Sequence, residues 1–375
     1  MKKQILACAV AAAFTASAFA ADVTVYGGVD TGLKYSHQKV GSDDATNSFT
    51  MESGMSAASR WGIKGSEELG NGYSVSFDLQ SGFNSDDGTL GQGNRLFGRE
   101  ARLTVASPFG ELSFGRMGSL TSSAGTYDIF MGTADVYDGG WTSAIGGDTF
   151  FYDVTRCDNM VTYATPSFAG FKGYAQYSFK VDSSETKGTE GRNSSKRYAG
   201  VGVTYENGPF AAVAVFDTVM NPTADEISKK DSRKFSVGAS YDFDVAKVFV
   251  AYQYAKNENK AAGVDAAHAT HKVGTEDKYY DYNTQVKGHN FHVGVSAPVC
   301  SGTFSLGGYY TNVKGVEDSD KTIKSFDVAA TYTYPFSKRT YVYAGVGYQE
   351  TKNKLSGDSV KTKTFDAALG LHHNF

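Results

Sequence analysis

The chain has 375 residues, a net charge of −4, 43 glycines, 6 prolines, 25 phenylalanines and 24 tyrosines. No basic stripe or RNA-binding motif accompanies that charge, which excludes a nucleic-acid footprint. No stretch after Ala21 approaches the ~18 apolar residues of a membrane helix, while the glycine and aromatic content suits many tight turns between strands.

Residues 1–20 read as an export leader. Lys2 and Lys3 form a basic start, Ile5 to Phe14 an apolar core, and Ala18-Phe19-Ala20 a cleavage site. Leu6-Ala7 before Cys8 resembles a lipoprotein signal, but too few apolar residues precede that cysteine for an anchor. The mature domain is expected to span 21–375. Its two cysteines, Cys157 and Cys300, fall near opposite ends of the layout below, so no disulfide is expected between them.

The first strand places Val23, Val25, Val29 and Leu33 on one face and Thr24, Tyr26 and Asp30 on the other. The second sets Trp61 and Ile63 against Arg60 and Lys64; the third sets Tyr73, Val75, Phe77 and Leu79 against Ser74, Ser76, Asp78 and Gln80. This is period-two patterning, which a secreted sandwich shows as well. The connections are more telling, because long and short ones alternate. Ser36 to Met55 is long, Glu67 to Asn71 short, Asn84 to Asn94 long and Ser107-Pro108-Phe109-Gly110 tight. The same rule holds to the last long interval, Thr351 to Lys361. Long loops on one side and short turns on the other are the plan of an outer-membrane barrel. Sixteen strands are expected, with both termini on the short-turn side. The fold class is therefore an all-β, 16-stranded antiparallel transmembrane β-barrel.

One interval breaks the rhythm. Gly118 to Asp153 has no strand pattern and carries Asp128, Asp135, Asp138 and Asp148 among small and aromatic residues. A loop that long is kept for a use, and it is expected to fold into the bore and narrow it. Asp128, Asp135 and Asp138 are the candidate acidic side of that constriction, although each also suits an ordinary solvated loop. Arg60 and Lys64 point into the lumen by parity, as constriction groups or as plain solvated charges. Arg99 shares parity with the apolar Leu103 and Val105, while Glu100 and Arg102 fall on the other face. Either the alternation resets there, or the strand meets a neighbouring subunit where charges pair; the subunit contact is favoured.

Several segments resemble the trimeric general porins of Gram-negative outer membranes, β-proteobacterial type. They include Val23 to Gly32, Ser59 to Gly70, Phe97-Gly98-Arg99-Glu100-Ala101, Ser107 to Arg116, Tyr163 to Phe171, and the terminal Leu371-His372-His373-Asn374-Phe375. The resemblance implies a homotrimer with one pore per subunit, constricted by the third extracellular loop, which is the stretch 118–153. It also implies an arginine cluster on the facing wall: Arg60 and Arg99 by motif, and Arg156 by the loosest match, since Cys157 and Asp158 follow it. Wall cations facing loop aspartates set up a transverse field that orients dipolar solutes and filters ions.

The function expected is passive diffusion of ions and small hydrophilic solutes across the outer membrane. Its partners are a homotrimer, outer-membrane lipid and lipopolysaccharide, with no nucleic acid, no cofactor and no metal. The rivals are a solute-specific channel, a barrel adhesin and a barrel hydrolase; for the last, no Ser/His pair shares a strand face with an orienting group. His372-His373 reads as one lumenal and one outward residue. Gly41-Ser-Asp-Asp and Gly315-Val-Glu-Asp are solvated loop acids, or else hold divalent cations shared with lipopolysaccharide.

Overall fold

Alternation of β-branched and aromatic residues with small polar ones gives each strand one apolar and one polar face. The computed structural model describes residues 22–375 apart from 140, 142–144, 146–149, 152–153, 223–229, 266–269, 274–277, 282–283 and 356–357. The expected leader, Asp148 and Asp153 lie outside the described residues.

The strands begin with β1 (Asp22–Val40), β2 (Thr46–Ser53), β3 (Arg60–Gly70), β4 (Tyr73–Gly82), β5 (Glu100–Ser107) and β6 (Gly110–Gly118). Next come β7 (Arg156–Ala164), β8 (Phe171–Ser178), β9 (Arg197–Asn207), β10 (Phe210–Met220), β11 (Arg233–Asp242) and β12 (Lys247–Glu258). Two small hairpins follow, β13 (Lys260–Ala261) with β14 (Val264–Asp265) and β15 (Thr270–Val273) with β16 (Lys278–Asp281). The chain ends in β17 (Val286–Val299), β18 (Gly302–Gly315), β19 (Thr322–Pro335), β20 (Thr340–Leu355) and β21 (Asp358–Asn374).

Barrel neighbours pair antiparallel, and β1 closes the ring on β21 from Gly28↔Asn374 to Val40↔Thr362. β2 and β3 pair with successive parts of β1, Leu33↔Met51 and Val25↔Ile63, so they form one barrel strand interrupted at 54–59. The closed barrel thus has sixteen strands. Gly27 and Phe375 exchange backbone hydrogen bonds of 3.3 and 3.0 Å, which joins the two ends on the short-turn rim.

The faces are the reverse of a soluble sandwich. Val25, Val293 and Leu369 stand about 60% exposed on the outside (63, 62 and 59%), whereas Asp30, Asp327 and Asp366 are sealed inside. Apolar residues outward and polar residues inward decide for a membrane barrel. His372 faces inward beside Asp30 and His373 outward beside Thr340, as expected. Cys157 is buried, and Cys300 is exposed in its turn.

Two expected loops are ladders instead. β1 and β2 pair as far as Gln38↔Thr46, and β20 and β21 as far as Leu355↔Asp358. Beyond Thr351 the apolar alternation ends, but backbone donors still need partners, so β20 and β21 pair on with mostly polar side chains. In β2 the outward apolar face persists as Phe49 and Met51, opposite Tyr35 and Leu33, a pair of residues too short to stand out among polar neighbours. Arg99 needs a second correction. It precedes β5 and escapes strand parity; Glu100, Arg102 and Thr104 face inward, while Leu103 is outward. The alternation resets at Arg99, and the subunit-contact reading of this residue is withdrawn.

Candidate functional site

Residues 119–155 join β6 to β7, and the described ones among them run against the polar face of the wall. A single helical turn, Met131–Ala134, packs on β10, β11 and β12. Before it, Thr121 donates to Asp217 of β10 (2.8 Å), and the Tyr127 hydroxyl meets Ser113 of β6 (2.6 Å). After it, the Tyr137 hydroxyl donates to the Ala329 carbonyl of β19 (2.5 Å), and Trp141 stacks edge-on against Tyr343 of β20 (5.1 Å). The Phe151 amide then donates to Gln253 of β12 (2.9 Å).

The wall is recessed to receive this segment. A Cβ added at Gly238 would stand 2.3 Å from the Ala134 Cβ, one at Gly294 2.6 Å from the Val136 Cβ, and one at Gly307 2.7 Å from the Tyr137 ring. Those glycines leave the wall without side chains where the loop lies closest.

Asp135 fastens the seat. Its buried carboxylate accepts from the Tyr309 hydroxyl (2.5 Å), the Gly139 amide (2.6 Å) and the Tyr137 amide (3.3 Å). His292 Nε2 lies 3.3 Å from the same carboxylate but accepts the Val136 amide at 3.3 Å, with its Nδ1 placed to donate to the Gly308 carbonyl. The imidazole therefore acts as a neutral acceptor here. Burial pushes the Asp135 carboxyl up to about 6, against the pull of its three hydrogen bonds. Its expected place on the acidic side of the constriction is corrected: Asp135 faces the wall and anchors the loop.

Because the loop covers the wall from β10 to β20, open space remains on the side of β1, β3, β4 and β5. There a gap of about 650 Å³ is bounded on the wall by Arg60, Lys64, Arg99 and Arg156, and on the loop by Asp128 and Asp138. All six were singled out from the sequence, and the fold brings them to one opening. Arg156 Nε donates to the Arg99 carbonyl (3.1 Å), Arg99 Nε to Gln80 (2.6 Å), and Arg60 to the Ala58 carbonyl (3.2 Å). Among the described residues no carboxylate lies within ion-pair distance of Arg60, Arg99 or Arg156. Lys64 stands over the Tyr26 ring at 5.0 Å.

The acidic side is weaker than its count. Burial, with Asp138 beside it, holds the Asp128 carboxyl well above the usual carboxylate range. Two like-charged carboxylates this close do not both ionise readily. On the wall, Glu100 is already engaged by Arg102 (2.7 Å) and Thr126 (2.8 Å).

Some lining groups escaped the sequence reading. Asp78 and Gln80 line the gap with the polar parity of β4, a signal that was present but not used. Residues 54–58 also line it, as the inward break between β2 and β3. That break is held by Asp30, which accepts from the Met55 amide (3.0 Å), the Ala57 amide (3.3 Å) and the Tyr343 hydroxyl (2.6 Å). Nothing in the alternation marks an inward break.

The model of the Gram-negative porins matches residues 7–354. An outer membrane porin protein of Bordetella pertussis is 31% identical over 100% of both chains. An anion-selective porin from Comamonas acidovorans superposes with a TM-score of 0.63 at 24% identity, over 95% of this chain and 100% of its own. The trimer form of OmpT, an outer membrane protein of Vibrio cholerae, gives 0.61 at 17% identity, over 95% and 100%. At those identities the two structures bear on the fold alone. With the family match across nearly the whole length and an inside-out barrel, the chain belongs to the Gram-negative porins, the channel-forming barrels of the outer membrane.

Proposed function

We propose that this porin is a passive diffusion channel for ions and small hydrophilic solutes, constricted where residues 118–153 face the arginine-bearing wall. One observation carries the proposal: a single opening with Arg60, Lys64, Arg99 and Arg156 on one side and Asp128 and Asp138 on the other. Opposed charges between low-dielectric walls produce a transverse field that aligns dipolar solutes and excludes apolar ones. Glu100 is paired with Arg102 and burial raises the Asp128 carboxyl, so the four cations face chiefly Asp78 and Asp138 and the channel prefers anions.

The same reading includes removal of residues 1–20 on export and assembly of the mature barrel as a homotrimer. Support for the trimer comes from the family itself, whose members the resemblance describes as trimers.

Single-channel recording in asymmetric salt tests the proposal. Wild type should show an anion-preferring reversal potential and openings in steps of three. Arg60→Ser and Arg99→Ser should each move the reversal potential toward cations. Unchanged selectivity in both variants removes the arginines from the constriction. Block by one solute at low concentration would instead favour a solute-specific channel.

A further inference from the structure

Between β2 and β3 the chain leaves the wall and returns to it. Ser53 pairs with Thr31 and Arg60 with Gly28, so six residues (54–59) stand opposite two, Val29 and Asp30. A bulge re-aims the side chains beside it, and the residue that follows this one is Arg60. The Ser53 and Ser59 hydroxyls draw its ends together at 3.1 Å, and Gly54 turns the chain inward with a φ of 71°. Residues 54–58 then form a lip on the same gap that Arg60, Arg99 and Asp138 line.

The lip has a built seat, and Asp30 is its centre. At the break in the ladder the Ser59 hydroxyl accepts from the Asp30 amide and donates to the Asp30 carbonyl, at 3.0 Å each. The same carbonyl accepts the Gly54 amide (3.0 Å), so the backbone keeps its partners where regular pairing stops. The side chain holds the lip itself, with Oδ1 accepting from the Met55 amide and Oδ2 from the Ala57 amide. Behind it, the Tyr343 hydroxyl donates to Oδ1, and His372 Nδ1 lies 3.3 Å from Oδ2.

The wall is hollowed for this arrangement as it is for the long loop. A Cβ added at Gly32 would stand 2.5 Å from the Met55 Cε, and one at Gly370 2.3 Å from the Tyr343 hydroxyl. The first recess admits the lip's buried methionine, and the second lets Tyr343 reach Asp30. Ser56 adds a hydroxyl contact with Tyr341 at 3.2 Å. At the far end of the lip the Ala58 carbonyl accepts from Arg60 Nη1 at 3.2 Å. Among the described residues no carboxylate lies within ion-pair distance of Arg60, so this carbonyl, and not a counter-ion, steadies the guanidinium.

We propose that Asp30 is a positioning residue of the channel: it holds 54–58 as a fixed lip of the gap and, through the Ala58 carbonyl, aims Arg60 at passing anions. The inference rests on the anion-preferring constriction proposed above. Asp30 is fully buried beneath the lip and so acts through it. A guanidinium already held by one carbonyl loses less side-chain freedom when it meets an anion, so releasing it weakens the anion preference. Loss of a carboxylate acting only through its field would do the opposite and favour anions. The two causes therefore differ in sign.

Planar-bilayer recording of the mature barrel in asymmetric salt separates them. Asp30→Ala should move the reversal potential toward cations by at least half the shift given by Arg60→Ser, and the double variant should shift no further than Arg60→Ser alone. Asp30→Asn keeps one acceptor oxygen and should shift less, in the same direction. A variant lacking Met55 to Ala58 probes the lip independently, even if Asp30→Ala fails to assemble. It leaves Gly54 and Ser59 opposite Asp30 and Val29, and because an even number of residues is removed, Arg60 keeps its inward parity. Its conductance should rise and its reversal potential should move toward cations. An Asp30→Ala potential that is unchanged or displaced toward anions overturns the proposal, as does a deletion variant with wild-type conductance and selectivity. Additive shifts in the double variant overturn it too, since Asp30 would then act apart from Arg60. If Arg60→Ser shifts the potential and Asp30→Ala does not, this proposal alone falls. If Arg60→Ser has no effect, the reading of the constriction falls and this inference with it.

Discussion

The two halves of the barrel wall solve opposite problems with the same alternating strands. From β10 to β20 the lumenal face is recessed by glycines and offers buried acceptors, and it disappears beneath the loop. Around β1, β3, β4 and β5 the lumenal face keeps long charged side chains and stays open. One loop serves both, anchored by Asp135 on the covered side while Asp128 and Asp138 look across the gap. The difference shows that charge near a pore says little until the packing around it is known. Of three loop aspartates within eleven residues, one packs against the wall and two line the gap.

The comparison breaks most visibly at the recessed wall. Gly238→Val should collide with Ala134 and weaken the seat of the loop by about 1–3 kcal/mol. Conductance should rise and become noisy, whereas Gly173→Val, whose added carbon meets only Thr165 at 3.4 Å, should behave as wild type. Equal conductance traces for the two variants would mean that the glycine recess does not hold the loop.

Asp135→Ala removes the acceptor of three donors and should weaken the same seat by about 1–3 kcal/mol. Selectivity should barely change, because the carboxylate does not reach the gap. A reversal potential displaced as far as in an Asp138 variant would put Asp135 back on the lining.

Asp138→Asn should leave loop stability alone and raise the anion-to-cation permeability ratio roughly twofold, the scale of one charge acting across several ångströms of water. It would also free Asp128 to ionise at lower pH. Recording of reversal potentials, alongside thermal unfolding in detergent, separates these effects.

The smallest expected effect is on pH. Asp128 keeps its proton above the usual carboxylate range, so raising the pH through its titration adds negative charge to the gap and moves selectivity toward cations. Lowering the pH moves it toward anions. The linkage has the matching sign: both Asp128 and Asp135 have raised values in the folded loop, so their contribution to its seat is fully present at low pH. For Asp135 it is lost as the pH rises through about 6. A pH-independent reversal potential between pH 4 and 8 would exclude Asp128 from the lining.

Much of the barrel was legible because a membrane strand meets two solvents at once. Val328 outward and Asp327 inward follow from parity alone, as does the lumenal direction of Arg60 and Lys64. Loop limits read less well: Thr351–Lys361 is almost wholly polar yet goes on pairing, and Ser36–Met55 hides a strand whose outward apolar face is only Phe49 and Met51. Arg99 misled because parity was extended one residue past the start of β5.

The amino-acid order by itself determined the inside-out barrel, its closure and the loop set apart from it, since each strand must match hydrocarbon and water residue by residue. Only the tertiary structure decided which aspartates line the gap, which glycines admit the loop and why residues 54–58 turn inward. Those outcomes depend on contacts between segments up to about 300 residues apart, such as Asp30 with Tyr343. No periodicity within a strand records which distant surface a loop will meet.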